Sequence, residues 1–338
     1  MRTVVTGYLA MGLIFNASCI FGNDAPIRYA IQNGAELCIT FRVTDTRGVP
    51  VTNAQAVAYF SFLHKEGSEE KRFATDTNGM CTVKGLCSIG MSGTFSKEGY
   101  YASGFGHKVL TAYPMPSSAL KDGKWQPWNP TVDIILKEKR NPIPMYVKSG
   151  EIILPKTNEP FGIDFQAGDL LAPHGNGKVA DMVLTYVFNT PSPDDEKQEY
   201  FAHFALASTN KHEGVIVMKS DTWSEYKTVY EASLEGYEHQ FETFKRFTPK
   251  AELEKKFLAT DEYLVFRSRV ITNEYGQITS AHYGKIYSAS CWGTAKNPAG
   301  GAVHIRYFFN PISNDRNVEF DTNKNLFGND SRNRVSTP

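Results

Sequence analysis

Apolar and polar residues alternate with a period of two along much of this chain, the signature of half-buried strands. The stretch from Ile39 to Phe62, ITFRVTDTRGVPVTNAQAVAYFSF, shows the pattern twice, on either side of Asp45-Thr46-Arg47-Gly48-Val49-Pro50. Glycine supplies positive φ in that interruption and proline fixes its own φ while lacking a donor N–H, so the segment reads as strand, turn, strand. A second turn is marked by Asp76-Thr77-Asn78-Gly79, and a later strand by Thr131 to Leu136.

In the second half, strands are predicted at Met145–Lys148, Glu151–Leu154, Val179–Asn189, Glu199–Ala207 and Val215–Met218. The prolines and acids of residues 190–196 keep that stretch out of a sheet. The period then changes: Tyr230, Leu234, Tyr237, Phe241 and Phe244 recur at steps of four and three, which predicts an amphipathic helix lying on a sheet. Thr248-Pro249 reads as the cap and first position of a second short helix through Leu258. Tyr263–Ile271, the turn Asn273-Glu274-Tyr275-Gly276 and Ile278–Tyr287 predict a hairpin, and Ala302–Phe308 a further strand.

Three pieces of the first half stand in order: Asp45-Thr46-Arg47-Gly48-Val49-Pro50-Val51, Thr75-Asp76-Thr77-Asn78-Gly79, and Phe95-Ser96-Lys97-Glu98-Gly99-Tyr100. Over about residues 35–137 they make the chain resemble the carboxypeptidase regulatory-like domain. The resemblance implies a seven-stranded, Ig/transthyretin-like β-sandwich that serves as a non-catalytic accessory. The insertion His64–Arg72 and the proline-bearing segment Ser103–Pro130 exceed that pattern, and loops of this kind can carry binding.

The expected fold class is therefore mostly β: the sandwich, then an α+β domain with an antiparallel sheet and one or two helices. Length agrees, since 338 residues exceed the ~100–200 of one domain. The charged, proline-bearing run at 138–144 reads as a connector, residues 145–327 as the second domain, and the polar residues 328–338 as a fraying tail.

Residues 1–25 read as a signal peptide, with Arg2 ahead of an apolar stretch from Val4 to Phe15 and small residues at Ala17 and Ser18. That stretch falls short of the ~20 residues a spanning helix needs, so export without a membrane span is expected. Cys19 stands where a lipid can be attached, but Asn16 occupies a place such sites fill with an apolar residue. The 36 basic and 36 acidic residues balance, so no overall field draws nucleic acid to the chain. Cys38, Cys81, Cys87 and Cys291 can form disulfides after export or serve as small buried hydrophobes. Cys81 and Cys87 would face each other if Lys84-Gly85 turned the chain.

Candidate chemistry is sparse. With the hairpin turn centred on Glu274 and Tyr275, Arg269 lies opposite Ser280 and Arg267 opposite His282; together with His304 and Arg306 they would line one polar face. Such a face can hold the carboxylate or sulfate groups of an acidic ligand, or simply be the wet side of an antiparallel sheet. Trp125 and Trp128 on a proline-stiffened loop can stack on sugar rings, or plug the sandwich edge. Asp164, Asp169, Asp181 and Glu199 are carboxylates of the type glycoside hydrolysis requires. His174 sits in a glycine loop, while Asp321-Thr322-Asn323-Lys324-Asn325 lacks the glycine and glutamate of a calcium loop. No cofactor or metal site is expected. The preferred function is an exported, non-catalytic protein that binds a glycan, a peptide or an envelope partner; the alternative is a secreted hydrolase active in residues 145–327.

Overall fold

The computed structural model describes residues 25–112, 114–189, 200–220, 223–247, 254–294, 297–328, 335 and 337–338; the side chains at 200, 247, 254, 291–294 and 297–299 fall outside the description. The expected signal peptide, apart from Ala25, and the Thr248-Pro249 helix start lie outside the described residues. The chain is mostly β and divides into two compact units, with the boundary between Glu138 and Lys139.

The first unit opens with helix α1 (Ala25–Asn33), which buries Ile27, Ala30 and Ile31, spaced three and four apart on one face. Strands β1 (Ala35–Thr44), β2 (Gln55–Ser61), β3 (Ser68–Ala74), β4 (Met80–Cys87), β5 (Gly90–Ser96) and β6 (Ser103–Lys108) follow. The short β7 (Leu120–Lys121) and β8 (Lys124–Trp125) precede β9 (Thr131–Ile135). One sheet runs β4-β1-β8-β7, with β9 also paired to β1; the other runs β3-β2-β5-β6. Alternate residues of β1 (Leu37, Ile39, Phe41, Val43) share one core with Ala56, Ala58 and Phe60 of β2, so the two sheets form a sandwich. Phe41, Phe95 and Phe105 meet there at centroid distances of 4.7 to 5.4 Å.

The turn motifs work through their aspartates. Oδ1 of Asp45 accepts the N–H groups of Arg47 and Val49, and Oδ1 of Asp76 those of Asn78 and Met80. At Gly79, which has φ +73°, an added Cβ would lie 2.5 Å from the Val43 carbonyl oxygen, so the position admits only glycine. The insertion after His64 becomes β3, whose Glu69, Glu70, Lys71 and Arg72 put charge on a sheet edge. Lys84-Gly85 does not turn the chain. Cys81 and Cys87 lie on the single strand β4, and both, with Cys38, are buried free thiols. The alternative of small buried hydrophobes describes these three; the side chain of Cys291 lies outside the described residues.

The second unit contains β10 (Ile143–Leu154), β11 (Pro160–Asp164), β12 (Asp169–Leu170), β13 (Met182–Phe188), β14 (Tyr200–Ala207) and β15 (Gly214–Lys219). It continues with β16 (Gln240–Phe247), β17 (Glu254–Lys256), β18 (Glu262–Thr272), β19 (Ile278–Thr294), β20 (Asn297–Phe309) and β21 (Phe320–Asn325). Two six-stranded sheets result, β15-β18-β19-β20-β10-β21 and β12-β11-β13-β14-β16-β17. They close on a shared core that includes Leu264, Phe266, Ile305 and Phe309 of the first and Leu184, Tyr186, Phe204 and Leu206 of the second.

No helix occurs among the described residues 139–338, which corrects the expected aromatic helix and also the end of the expected second helix, where Glu254–Lys256 form a strand paired with β16. Residues 230–232 instead pair with 316–318 over the back of the first sheet, Leu234 is exposed, and Gly236 adopts φ +88°. Phe241 and Phe244, three apart, fall on opposite faces of β16, where ladder bonds to β14 replace helical ones. The helical spacing was formed by residues serving three different surroundings. The chain end is also corrected: Val335 is buried among Met145, Val147, Phe308 and Phe320, and the Pro338 carbonyl accepts a hydrogen bond from Tyr287. Of the expected connector, Glu138 is bridged to Tyr100 in the first unit, and the N–H groups of Arg140 and Asn141 donate to Glu319 in the second.

Burial pushes the Cys81 thiol up to about 11 and that of Cys87 up to about 12, against an ordinary value of 9.0. Iodoacetamide at pH 8 is expected to leave both unmodified in the native protein and to label both in guanidinium, as read by peptide mass spectrometry. Native labelling of Cys87 would contradict this packing.

Candidate functional site

The expected basic face is split by a β-bulge. Pairing of β18 with β19 is regular from Leu264↔Ile286 to Ser268↔His282, then slips, resuming at Ile271↔Ser280. At the slip Arg269 has φ +52°, and the Val270 N–H donates to Oε1 of the buried Glu213 at 2.9 Å. An extra residue in one strand reverses the side-chain alternation beyond it. Arg267 consequently lies on the back of the sheet, whereas Arg269 turns into the sandwich.

Arg269 ties the two sheets together. Its Nε and Nη2 donate to Oδ1 and Oδ2 of Asp181 at 2.8 and 2.9 Å, Nη2 also to Oδ1 of Asp164 at 2.8 Å, and Nη1 to Gln166 at 2.8 Å. Its guanidinium carbon lies 4.8 Å from the centre of the Phe309 ring. Asp181, fully buried, also accepts the Ser268 hydroxyl at 2.7 Å and the Phe165 N–H at 2.7 Å. Asp164 accepts the N–H groups of Gln166, Ala167, Lys178 and Val179 at 2.9 to 3.2 Å. Burial pushes the Asp164 carboxyl up, but these N–H groups and the Arg269 charge outweigh it and hold the carboxyl below the usual carboxylate range. At Asp181 burial prevails over Arg269, Ser268 and Phe165 and leaves the pKa above the ordinary value. His282 donates from Nδ1 to the Asn310 carbonyl at 3.2 Å and stacks on Phe309, and burial pushes its pKa down.

The remaining expected site residues are dispersed. Arg267 donates to the His212 and Leu234 carbonyls and lies over Tyr237 at 4.3 Å. His304 and Arg306 are half-buried on the back face of β20, opposite Glu151 and Ser149, and Arg306 bonds the Ser149 hydroxyl at 3.2 Å. Trp125 is a core residue whose indole donates to the Cys87 carbonyl at 2.8 Å. Trp128 is half-buried, with the Lys84 and Lys124 ammonium groups 5.6 and 5.0 Å from its ring. Among the carboxylate candidates, Asp169 holds the backbone of Leu170 and Asn176, and Glu199 lies outside the described residues. His174 is exposed and meets Phe161 edge-on.

A cavity of about 380 Å³ opens on the outer face of β13, β14 and β16, lined by Val187, Phe201, His203, Phe244, Lys245 and Arg246 among others. Ladder register places Val187, His203 and Phe244 in one row across the three strands, with Lys256 of β17 next to Phe244. Phe201 and Arg246 form the adjoining row. His203 Nε2 lies 3.6 Å from Oε2 of Glu242. Sequence reasoning misses this site because the spacing of Phe244 reads as helical; the alternation in Phe201-Ala202-His203 is its one visible signal. Among the described residues, no group of three His, Cys, Asp or Glu side chains could hold a metal ion, and no helix is long and apolar enough to cross a membrane.

No protein-family model and no curated protein matches the chain. Among solved structures it is similar to 3-chlorocatechol 1,2-dioxygenase from Rhodococcus opacus 1CP, with 10% identity and TM-score 0.25, covering 32% of this chain and 62% of that one. A DUF3823 family protein from Parabacteroides merdae aligns at 9% identity and TM-score 0.20, covering 82% of this chain and 100% of that one. The shaft pilin SpaA from Lactobacillus rhamnosus GG aligns at 13% identity and TM-score 0.19, covering 48% and 89%. The chain thus spans less than two thirds of the dioxygenase. Likeness at this level carries no chemistry across.

Stability differences should expose the Arg269 network. Arg269→Lys keeps the charge but loses the two-pronged fork, and is expected to destabilise the protein by about 1–3 kcal/mol in urea unfolding. Asp164 has a lowered folded pKa, so its contribution is present above the unfolded value and lost as pH falls through the folded one. The stability gap between the wild type and Asp164→Asn should therefore be constant above about pH 5 and narrow below about pH 4.

Proposed function

We propose that this chain is an exported, non-catalytic binding protein whose sandwiches present surfaces to a glycan or another acidic ligand. The observation that carries this reading is the consumption of the polar groups that chemistry would need. Asp164 and Asp181, which could have flanked a scissile bond, accept four hydrogen bonds or more each from Arg269 and neighbouring backbone or hydroxyl groups. A carboxylate held in this way is a brace, since proton transfer requires hydrogen-bond reach to a substrate. The cavity over β14 and β16, by contrast, combines phenyl faces with cationic residues on a sheet surface, a combination suited to recognition.

Within this reading the first unit is a carboxypeptidase regulatory-like accessory. Its support is the Asp45 and Asp76 turns, each closed by its aspartate and a glycine of positive φ. Export rests on the leader-like residues 1–19.

Purified protein applied to a glycan array and to a panel of hydrolase substrates tests the proposal. Retention without turnover is the expected result, and turnover of any panel substrate would contradict it. Trp125→Ala is expected to cost about 3–5 kcal/mol as a core truncation, whereas Trp128→Ala should shift the urea midpoint little; equal shifts would contradict the placement of the two indoles.

A further inference from the structure

We propose that this chain pairs with a second copy of itself through β6, the free edge of one copy meeting the same edge of the other in an antiparallel, two-fold arrangement. The inference goes beyond the binding reading above and does not depend on it. Three observations carry it.

The first is a row of open backbone groups. β6 pairs with β5, from Gly90↔Lys108 to Phe95↔Ser103, and ends its sheet. The His107 carbonyl points toward β5, where an added Cβ on Gly90 would lie 2.2 Å from its oxygen. Peptide groups alternate in direction along a strand, so Ser103, Phe105 and His107 serve the ladder, while Gly104, Gly106 and Lys108 direct theirs outward. The Ser103 hydroxyl ties the start of β6 to β9 by donating to the Ile135 carbonyl at 2.7 Å. Beyond it, among the described residues, no hydrogen bond reaches the outward N–H and C=O groups at 104, 106 and 108.

The second is the contrast with the far edge of the same sheet. There β3 carries Glu69, Glu70, Lys71 and Arg72, with the pairs Lys71–Glu69 and Arg72–Glu70 at 3.2 and 2.8 Å. Charge of this kind keeps other strands away. The outward positions of β6 are two glycines and one lysine. Gly106 is exposed, and an added Cβ there would meet only the Met91 carbonyl oxygen, at 3.7 Å.

The third is a register in which the edge complements itself. With Gly106 opposite the partner's Gly106, Lys108 faces the partner's Gly104, and each such pair exchanges both of its N–H···O bonds. His107 then lies across from the partner's Phe105, a favourable aromatic pairing. No lysine faces a lysine, and zero net charge sets no overall repulsion between copies. Because β3 is defended, assembly closes at two.

Sedimentation velocity of the full chain across a concentration series tests the proposal. Wild type should shift from monomer to dimer as concentration rises, and amide exchange over Ser103–Lys108 should slow in step, a readout that needs no variant. Gly106 has room for a side chain and no positive φ, so Gly106→Lys and Gly106→Glu should each keep the wild-type thermal midpoint. Each places like charges opposite one another at the two-fold axis, and should raise the dissociation constant about tenfold or more. Mixed in equal amounts, the two variants should dimerise again, because position 106 faces itself. Arg72→Ala, on the defended edge, should leave the dimer unchanged.

A wild type that stays monomeric at every concentration would overturn the proposal and leave the edge to a strand of another protein. Dimers whose amide exchange at β6 is unaltered, or that both Gly106 variants form at wild-type affinity, would overturn it by placing the contact elsewhere. Folded variants that lose pairing and do not regain it in the mixture would overturn the two-fold register on which it rests.

Discussion

A guanidinium withdrawn from water needs acceptors for its N–H groups, and Arg269 finds four of them on Asp181, Asp164 and Gln166. An unpaired charge in that position would cost several kcal/mol, so the surrounding chain must keep its geometry. Asp164 ends β11 and Asp181 immediately precedes β13, both in one sheet, while Arg269 belongs to β18 in the other. The ion network therefore fixes the two sheets relative to each other at one end of the second unit. Hydrophobic packing of Leu184, Phe204, Phe266 and Phe309 brings the sheets together without choosing a register; the fork chooses it.

The network also depends on a defect. Without the bulge at Arg269, side-chain alternation would aim this residue to the same face as Arg267. Glu213 supports the bulge by accepting the Val270 N–H, which strand pairing leaves over, while its other oxygen holds Thr209. Acid groups that could have served chemistry are used instead to position a strand. On the outer surface of the second sheet, Phe201, His203 and Phe244 face away from the core.

Most of the strand content was legible because period-two alternation reports directly on burial, as in Leu37 to Val43 and Met182 to Tyr186. The turns at Asp45 and Asp76 were legible because glycine, proline and aspartate each impose local geometry. The bulge was not, since the two residues Arg269 and Val270 continue an ordinary-looking strand and the insertion exists only relative to β19. The face assigned to Arg267 and Arg269 failed for that reason. The helix expected from Tyr230 to Phe244 failed because its aromatic residues serve the back of one sheet and both faces of β16. Trp125 and Trp128, three apart in sequence, differ because β8 turns the first into the core. Long-range pairing, which no local window contains, decided each of these cases.

A double-mutant cycle on Arg269→Ala and Asp181→Ala, read by equilibrium unfolding in urea, tests most directly whether this ion network holds the second unit together. The account predicts strongly non-additive losses, with a coupling on the order of 2–3 kcal/mol between the two positions. Additive losses within about 0.5 kcal/mol would show the two side chains to be energetically independent, and would contradict it.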